Sequence, residues 1–339
     1  MKISIIVPYY NGERWISPCL NSLLHQGLSE DDYEIIVIDD GSTHSIEILK
    51  RYEQEHSNIK YVRQENQGQC AARNHGLSLA KGEYVFFCDC DDFIREGALG
   101  VLYDLAKRNN LDVLIHKVKI CGEDGCVPQE SLALPEIKCY QSGGDLLSDY
   151  MPLESSSTYI SKRRFLLENE MSFDVSLIAC EDVKFFYEMM LLAKSCGFIN
   201  EDIYFYVQHS TSLIHKQVNK ELHDKYRDSI ISFLVFLVCL IKKMKADNRI
   251  SKQVVEELEN RQATHTFVLL HKVFRFSSVS KNIEVISRLR GIGAYPCKYN
   301  QKFQLIVMIM NHYYLWITLC IVFHIIPLSL RYMLFDKHD

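Results

Sequence analysis

Two aspartates stand one residue apart directly after a strongly apolar stretch. Asp89 and Asp91 follow the run Glu83–Cys88, and Cys90 separates them. Carboxylates with this spacing at the end of a strand can turn one group towards a ribose and the other towards a divalent cation, and Mg²⁺ or Mn²⁺ prefers such oxygen ligands. The same residues also fit a turn whose acids cap the next helix, so the pair is informative only in its context.

A second acidic turn follows an earlier apolar stretch. Tyr33–Ile38 runs into Asp39 and Asp40, and a carboxylate at this place can accept a hydrogen bond from the N3–H of a uracil ring. Tyr10 follows the first apolar run and offers an aromatic face on which a base can stack. In isolation, an Asx turn explains the aspartates equally well, and aromatic residues such as Tyr10 are more often packing residues.

Arg73 belongs to a segment that begins with a glycine and is rich in alanine and leucine. The segment Gly68–Ala80 predicts a helix, with Arg73 one to two turns from its start. A helix N-terminus and an arginine side chain both favour phosphate groups. A surface ion pair is the alternative interpretation of this arginine.

The secondary-structure elements that position these residues alternate regularly over the first hundred residues. Continuous apolar runs predict four buried strands, at 3–7, 33–38, 59–62 and 83–88, and helical patterns separate them, at 13–26, 45–55 and 68–80. Buried strands that alternate with helices indicate a parallel sheet covered on both faces. The polar clusters all fall at the carboxyl ends of strands, which is the edge where ligands bind in open α/β sheets.

Taken together, these segments resemble the family-2 glycosyltransferases, which bind a nucleotide-sugar in a GT-A fold. The resemblance is carried by five segments in the family's order and spacing: Ile5–Glu13, Ile38–Ser42, Asn66–Gly76, Gly82–Asp92 and Cys180–Phe185. It extends to about residue 212. It implies an α/β fold with a Rossmann-like, mostly parallel sheet, followed by a helical C-terminal region.

The resemblance implies that six matching residues bind the nucleotide-sugar donor. The residues that would hold the base and the ribose are Pro8, Tyr10, Glu13 and Asp40. Arg73 would lie near the donor, and Asp89 would contact the ribose or the sugar.

The resemblance also implies a divalent metal ion, Mg²⁺ or Mn²⁺, with Asp91 as a ligand. In some relatives a histidine beyond the catalytic acids completes the metal shell, and His209 in the segment Tyr206–Ser210 is the matching candidate. A structural histidine is the alternative interpretation of His209.

The catalytic base implied by the resemblance is Asp182, and Glu181 would support it or bind the acceptor. A base on the opposite side of the sugar from the leaving diphosphate gives one in-line displacement, so the predicted enzyme inverts the anomeric centre. The expected reaction moves a sugar from a nucleotide diphosphate-sugar, with UDP-sugars favoured, to a hydroxyl of a glycan or lipid-linked glycan in bacterial surface polysaccharide synthesis. The first turn of a helix is the structural alternative for both acids.

Two other function classes are compatible with parts of the pattern. The strand and aspartates at 86–91 also resemble aspartyl phosphotransferases, in which the first aspartate is a nucleophile. That family places this strand first in the chain, whereas it is the fourth here, and Phe93 stands where Thr or Val is usual. The third class is a catalytically inactive scaffold of the same fold, and the acids at 89, 91 and 182 argue against it.

We expect two domains, a catalytic domain over residues 1–215 and a helical region over residues 216–339. In the second, Leu305–Ile326 comprises 22 residues without Asp, Glu, Lys or Arg, which is long enough to cross a bilayer. Basic residues precede it, which suits an anionic cytoplasmic leaflet. The segment is compatible with spanning a membrane, with lying on its surface and with packing as a buried helix of the second domain.

Composition and charge further limit the function and the cellular location that we expect for the protein. The 339 residues carry a net charge of −5, whereas general nucleic-acid binders are basic, so we expect no nucleic-acid partner. The twelve cysteines form no CxxC pair and predict free thiols in a reducing compartment. The apolar run at 3–7 is too short for a secretory signal. We therefore expect a cytoplasmic protein, peripheral or anchored at the cytoplasmic face of the cell membrane.

Overall fold

A computed structural model describes residues 1–122, 132, 135–150, 152–209, 220–246, 250–276, 278–296 and 312. The chain divides into two compact units, Met1–Val218 and Asn219–Asp339. The first contains a large sheet and all the predicted site residues, and the described part of the second is mainly helical.

The sheet of the first unit has nine strands among the described residues: β1 (Ile3–Tyr9), β2 (Tyr33–Asp40), β3 (Ile59–Gln64), β4 (Tyr84–Phe87), β5 (Phe93–Ile94), β6 (Val113–Gly122), β7 (Ile137–Tyr140), β8 (Tyr159–Lys162) and β9 (Cys196–Gln208). Their order is β3-β2-β1-β4-β8-β6-β9-β5, and β7 pairs with β9. The four strands predicted from the sequence, β1 to β4, pair in parallel. Strand β8 runs antiparallel to both β4 and β6, whereas β6 and β9 are parallel.

Helices connect these strands. Those of the first unit are α1 (Ile16–Leu24), α2 (Glu47–Glu55), α3 (Gln69–Leu79), α4 (Ala98–Arg108), α5 (Gly143–Asp149), α6 (Arg163–Glu168) and α7 (Glu181–Leu192). This arrangement of helices and a mixed sheet with a parallel half is the predicted α/β architecture.

The core of the first unit lies around β1 and β2. Every residue of both strands is buried, because helices cover both faces of a sheet of this kind. Each fully buried Val or Ile side chain stabilises the fold by about 1.5–3 kcal/mol. The register pairs Tyr9 with Asp39, so the two strands end at the same edge of the sheet and bring their following loops together.

A glycine sets the close packing of α3 on the sheet. A Cβ at Gly76 would overlap the side chain of Ile6 in β1. Because Arg73 precedes Gly76 by about one turn, this close approach fixes the place of Arg73 relative to the sheet edge.

The second unit contains α8 (Lys220–Ala246), α9 (Lys252–Phe276) and α10 (Val279–Ile292). Fully buried apolar side chains from these helices form its core, among them Phe233, Leu237, Leu258, Val285 and Leu289. No helix in the described part of the chain is both long and apolar enough to cross a membrane. Apart from His312, the segment 305–326 lies outside the described residues.

Candidate active site

Arg73 joins the aspartate turn after β4 to the acid pair at the start of α7. Its side chain is only 2% exposed. Its Nη2 donates a hydrogen bond to Asp89 Oδ1 at 2.8 Å, and its Nη1 lies 3.5 Å from Glu181 Oε1. The residue predicted on the donor side and the acid predicted beside the base therefore share one buried cation.

The charge of Arg73 is maintained by its surroundings. Burial alone would lower the pKa of the guanidinium, but Asp89, Glu181 and Asp182 together raise it above its ordinary value. The Phe173 ring lies 5.2 Å from the guanidinium carbon, a cation–π distance that adds further attraction. Removing Arg73 would leave two partly buried carboxylates without their common partner.

Asp182 lies in the first turn of α7. Burial raises its pKa to about 7, and the negative charge of Glu181 acts in the same direction, while Arg73 and the Val183 N–H oppose the shift. The Val183 N–H donates to Asp182 Oδ1 at 2.8 Å. A carboxylate whose pKa lies near neutrality can accept a proton from a reacting hydroxyl and release it again.

The loop before α7 is held by neighbouring elements, which fixes the two acids. Asn74, the residue after Arg73, makes a pair of hydrogen bonds with the backbone of Phe173, both at 2.8 Å. Lys184 in α7 bonds Asp174 at 2.7 Å. Cys180 then adopts a left-handed conformation with a φ of 63°, and the helix begins at the next residue.

Asp91 and His209 meet at a second place near the aspartate turn. His209 Nε2 lies 3.0 Å from Asp91 Oδ2, and the histidine side chain is 4% exposed. The ring of Trp15 stacks on that of His209, with centroids 4.4 Å apart and an angle of 24° between the planes. The Arg14 guanidinium lies 4.6 Å from the Trp15 ring. The stack holds the imidazole in one orientation towards Asp91.

The strand that carries His209 is tied to the aspartate turn by a third acid. Asp92 is 1% exposed, and it accepts hydrogen bonds from the Tyr204 hydroxyl at 2.5 Å and the Val207 N–H at 2.8 Å. The Tyr204 oxygen in turn accepts the Asp89 N–H at 3.1 Å. These bonds hold β9 in register with the turn, and His209 follows directly after that strand.

The loops after β1 and β2 are joined to each other on the predicted nucleotide side. Asn11 Oδ1 accepts hydrogen bonds from the backbone N–H groups of Thr43 and His44, at 2.9 and 3.2 Å. Glu13 Oε1 lies 2.6 Å from His44 Nδ1. Glu13 and Tyr10 are both exposed at this edge, Tyr10 to 47%.

Pro8 is buried within β1, opposite Ile38 of β2. It therefore precedes the loop that carries Tyr10 and Glu13 and fixes where that loop leaves the sheet.

The Asp40 carboxylate shapes the turn before α3. Its oxygens accept hydrogen bonds from the backbone N–H groups of Gln67 and Gly68, at 2.9 and 2.8 Å, and from Gln64 Nε2 at 2.8 Å. Only 5% of Asp40 is exposed. Gly68 lies in this turn with a φ of 90°, a conformation that favours glycine. The base-binding role of Asp40 stays a prediction, and the contacts described here are with the chain itself.

The structure thus gathers the predicted residues into three groups at one edge of the sheet. Arg73, Asp89, Glu181 and Asp182 form a charge network, Asp91 and His209 form a contact pair, and the loops with Tyr10, Glu13 and Asp40 lie at the ends of the neighbouring strands. Within the described part of the chain, no three His, Cys, Asp or Glu side chains are grouped so that they could hold a metal ion by themselves.

Comparison with known proteins tests the predicted family of this chain. The family described as glycosyl transferase family 2 matches residues 4–152. The glycosyltransferase GlyG of Streptococcus pneumoniae serotype 4 is 31% identical over 229 residues, which is 63% of this chain and 73% of that protein. The chain belongs to glycosyltransferase family 2. This membership confirms the predicted family and enzyme class over the aspartyl-phosphotransferase alternative.

A further family member shares a smaller part of its length with this glycosyltransferase. The poly(ribitol-phosphate) beta-glucosyltransferase of Bacillus spizizenii is 34% identical over 212 residues, or 61% of this chain. The chain spans about a third of that relative, 32% of its length.

A solved structure confirms the predicted GT-A fold of the glycosyltransferase. The crystal structure of S. aureus TarS 1-349 in complex with UDP aligns with a TM-score of 0.67, covers 96% of this chain and 91% of that chain, and is 21% identical. An identity of this level supports the fold and carries no statement about individual site residues.

Three residues of the site were not singled out by sequence reasoning. Asp92 directly follows Asp91, so a third consecutive acid after the strand was the available clue. Tyr204 and Trp15 gave no local clue, since an aromatic residue at a strand or helix position is most often part of the core. Their roles depend on contacts with Asp92 and His209, which are distant in the sequence.

Proposed function

We propose that this glycosyltransferase moves a sugar from a UDP-sugar to a hydroxyl of a glycan or lipid-linked glycan, with inversion at the anomeric carbon. The observation that carries the proposal is the Asp89–Arg73–Glu181 chain of contacts, at 2.8 and 3.5 Å. It ties the acidic turn at the end of β4 to the acid pair that starts α7. A donor site and a base facing it are what a direct displacement requires.

Asp182 is the proposed base. An acceptor hydroxyl has a pKa far above neutrality, so its proton must be taken up as its oxygen attacks the anomeric carbon. The pKa of Asp182, raised to about 7 by burial, makes it a stronger base than an exposed aspartate. The acceptor oxygen bonds to the sugar as the bond to the diphosphate breaks, and the proton goes to Asp182. One displacement of this kind inverts the configuration.

Glu181 is proposed to position this step without taking the proton. Its carboxylate is 13% exposed and lies 3.5 Å from the Arg73 guanidinium, which holds it beside the base. Its negative charge raises the pKa of the neighbouring Asp182, which strengthens the base.

Asp91 and His209 fit a divalent metal ion shared with the diphosphate of the donor. Asp91 Oδ2 and His209 Nε2 lie 3.0 Å apart. A carboxylate oxygen, which suits Mg²⁺ or Mn²⁺, and an imidazole nitrogen, a common metal ligand, are therefore side by side. A bound Mg²⁺ or Mn²⁺ supplies positive charge for the leaving diphosphate.

The names of the relatives support a role in the synthesis of bacterial surface polymers. One relative acts on poly(ribitol-phosphate), and the aligned structure contains UDP. We propose a polymer or lipid-linked glycan as acceptor, reached at the cytoplasmic face of the membrane with the help of the apolar segment 305–326. No nucleic-acid role is proposed for a chain with a net charge of −5.

The test is a panel of nucleotide-sugars in which release of the nucleotide is measured with and without Mn²⁺. We expect UDP to be released from UDP-glucose or UDP-GlcNAc faster than GDP from GDP-mannose, and nuclear magnetic resonance of the sugar product to show inversion. Retention of configuration would contradict the single displacement. No turnover of any donor, with UDP still bound, would indicate an inactive scaffold.

A further inference from the structure

Tyr159 buries a hydroxyl group that has no hydrogen-bond partner among the described residues. The residue begins β8, and none of its surface is exposed. Leaving such a group unpaired in the interior costs about 1–3 kcal/mol, and buried polar groups almost always have partners. A phenylalanine would fill the same space without that cost. We therefore expect the hydroxyl of Tyr159 to have a role other than packing.

The side chain of Tyr159 packs under the first half of α7. Its ring lies 6.1 Å from that of Phe186, and Ser161, two residues later on the same face of β8, bonds the Met189 sulfur at 3.3 Å. The strand therefore runs in the same direction as the helix, with Tyr159 nearer the helix start. Asp182 precedes Phe186 by one turn on the same helix face.

The charges that act on the hydroxyl identify its neighbours. Burial raises the pKa of Tyr159 far above its ordinary value, the charge of Arg73 lowers it, and that of Asp182 raises it further. The phenol therefore stays protonated at any physiological pH and can donate one hydrogen bond. Two members of the charge network, Arg73 and Asp182, therefore act on this single donor.

We propose that Tyr159 is a positioning residue for the base and that its hydroxyl donates a hydrogen bond to the Asp182 carboxylate when the substrates are bound. This inference rests on the proposed function, because it assigns Tyr159 to the reaction in which Asp182 takes the proton. One Asp182 oxygen already accepts the Val183 N–H, and the tyrosine supplies a second donor. Tyr159 keeps its own proton throughout.

Other ionisable groups also act on Asp182. They are Glu181 in its own helix, Arg73 and Cys70 in α3, and Asp89 after β4. Replacing Glu181, Arg73 or Asp89 changes a charge. Replacing Tyr159 by phenylalanine removes one oxygen atom and changes no charge, so it isolates the effect of a hydrogen bond.

The experiment compares Tyr159→Phe with wild type in the pH dependence of kcat for UDP release at saturating donor, because kcat reports the pKa of the base in the substrate-bound enzyme. The donor is whichever of UDP-glucose and UDP-GlcNAc is turned over faster. A hydrogen bond to an ionised group favours that ionised form, so its loss raises the pKa of Asp182. We expect the rising limb of the profile to move up by about one pH unit, which lowers turnover at pH 7 about fivefold. The affinity for UDP, used as the binding probe, stays that of wild type.

Tyr187→Phe is the matched control. Tyr187 is also fully buried, but its hydroxyl donates to the buried Glu154 at 2.5 Å, so this variant loses a bond that the fold already makes. We expect Tyr187→Phe to have a lower Tm and an unchanged pH profile. Tyr159→Phe has the opposite pattern, a Tm equal to or above that of wild type and a shifted profile.

A wild-type pH profile for Tyr159→Phe would overturn the inference. Asp182→Asn, measured in the same series, separates this failure from that of the proposed function. If Asp182→Asn turns over donor at the wild-type rate, the proposed base is wrong. If Asp182→Asn is inactive and Tyr159→Phe behaves as wild type, only the role of Tyr159 is wrong. When Tyr159→Phe is combined with Asp182→Asn, we expect no loss beyond that of Asp182→Asn alone, and a further loss of about fivefold would also overturn the inference.

Discussion

Arg73 Nη1 lies 3.5 Å from Glu181 Oε1, although 108 residues separate them in the sequence. The contact ties α3, which packs on the parallel half of the sheet, to the start of α7. Because the same guanidinium also binds Asp89, a change at Arg73 acts on the predicted donor side and on the proposed catalytic acids together.

We expect Arg73→Met to lower the free energy of unfolding by about 3–5 kcal/mol, since it leaves Asp89 and Glu181 without their buried counter-charge. Arg73→Lys keeps the charge but lacks the planar fork that reaches both acids, so its loss of stability and of turnover is intermediate. Urea unfolding curves measure the change in stability.

The matched control is Arg164→Met. The Arg164 side chain is 82% exposed and pairs with Glu168, so we expect this variant to lose no more than about 0.5 kcal/mol of stability. Equal losses for Arg73→Met and Arg164→Met would contradict the account.

The pH dependence of the wild-type enzyme follows from the pKa of Asp182, raised to about 7 by burial. The base is active when ionised, so kcat/KM for UDP release rises with pH up to about 7 and levels off above it. An exposed aspartate, with a pKa near 3.9, would instead give a flat profile from pH 5 to 9. Initial rates over that range, in buffers of constant ionic strength, distinguish the two, and a flat profile would place the base elsewhere.

Trp15 offers an optical measure of the proposed metal site. Its ring stacks on His209, and the chain has only two tryptophans, so a Trp316→Phe background leaves Trp15 as the single reporter. We expect its fluorescence to change when Mn²⁺ and UDP are added together. We expect Asp91→Asn to weaken this response and the turnover, because it removes an anionic ligand.

The control for this measurement is Glu168→Gln, at an exposed acid of α6 that is 58% accessible, and it should behave as wild type. If Asp91→Asn turned over donor at the wild-type rate in the presence of EDTA, the metal role of this residue would be wrong.

The membrane proposal is tested by a shortened chain that ends at Lys302. All elements of the first unit precede this point, so we expect the shortened chain to bind UDP and to leave the membrane fraction. An apolar helix of this length that buries one face in lipid contributes several kcal/mol at about 25 cal/mol per Å². Fractionation before and after a high-salt wash measures the effect, since salt weakens the contribution of the basic residues. A full-length protein found wholly in the soluble fraction at low salt, together with an insoluble shortened chain, would reject membrane attachment.

The parallel half of the sheet was readable from the sequence because its signals are local. Continuous apolar runs mark β1 to β4, and the acidic turns after β2 and β4 lie where those runs end. The first helix was predicted too long, over 13–26, and α1 spans Ile16–Leu24. Glu13 is drawn into the loop by its contact with His44, which no helical periodicity reveals.

The rest of the site depends on contacts between distant parts of the chain. The two-residue strand Phe93–Ile94 is defined by its pairing with Tyr204 and Phe205. Two residues are too few to show the alternation of apolar and polar side chains that predicts a strand. The bonds of Asp40 to Gln64, Gln67 and Gly68 depend on the register of β2 and β3. The sequence therefore predicted which residues gather at the sheet edge but not which of them bind one another.

The most direct test of the account is Asp182→Asn, with turnover and UDP affinity measured on the same preparation. The amide keeps the size of the side chain but cannot take the acceptor proton, and Arg73 and Asp89 keep their contact. We predict a loss of turnover of about 10²–10⁴-fold, the usual contribution of a general base, with the affinity for UDP unchanged. A wild-type turnover number, or a lost UDP affinity with normal turnover, would contradict the assignment of Asp182 as the base.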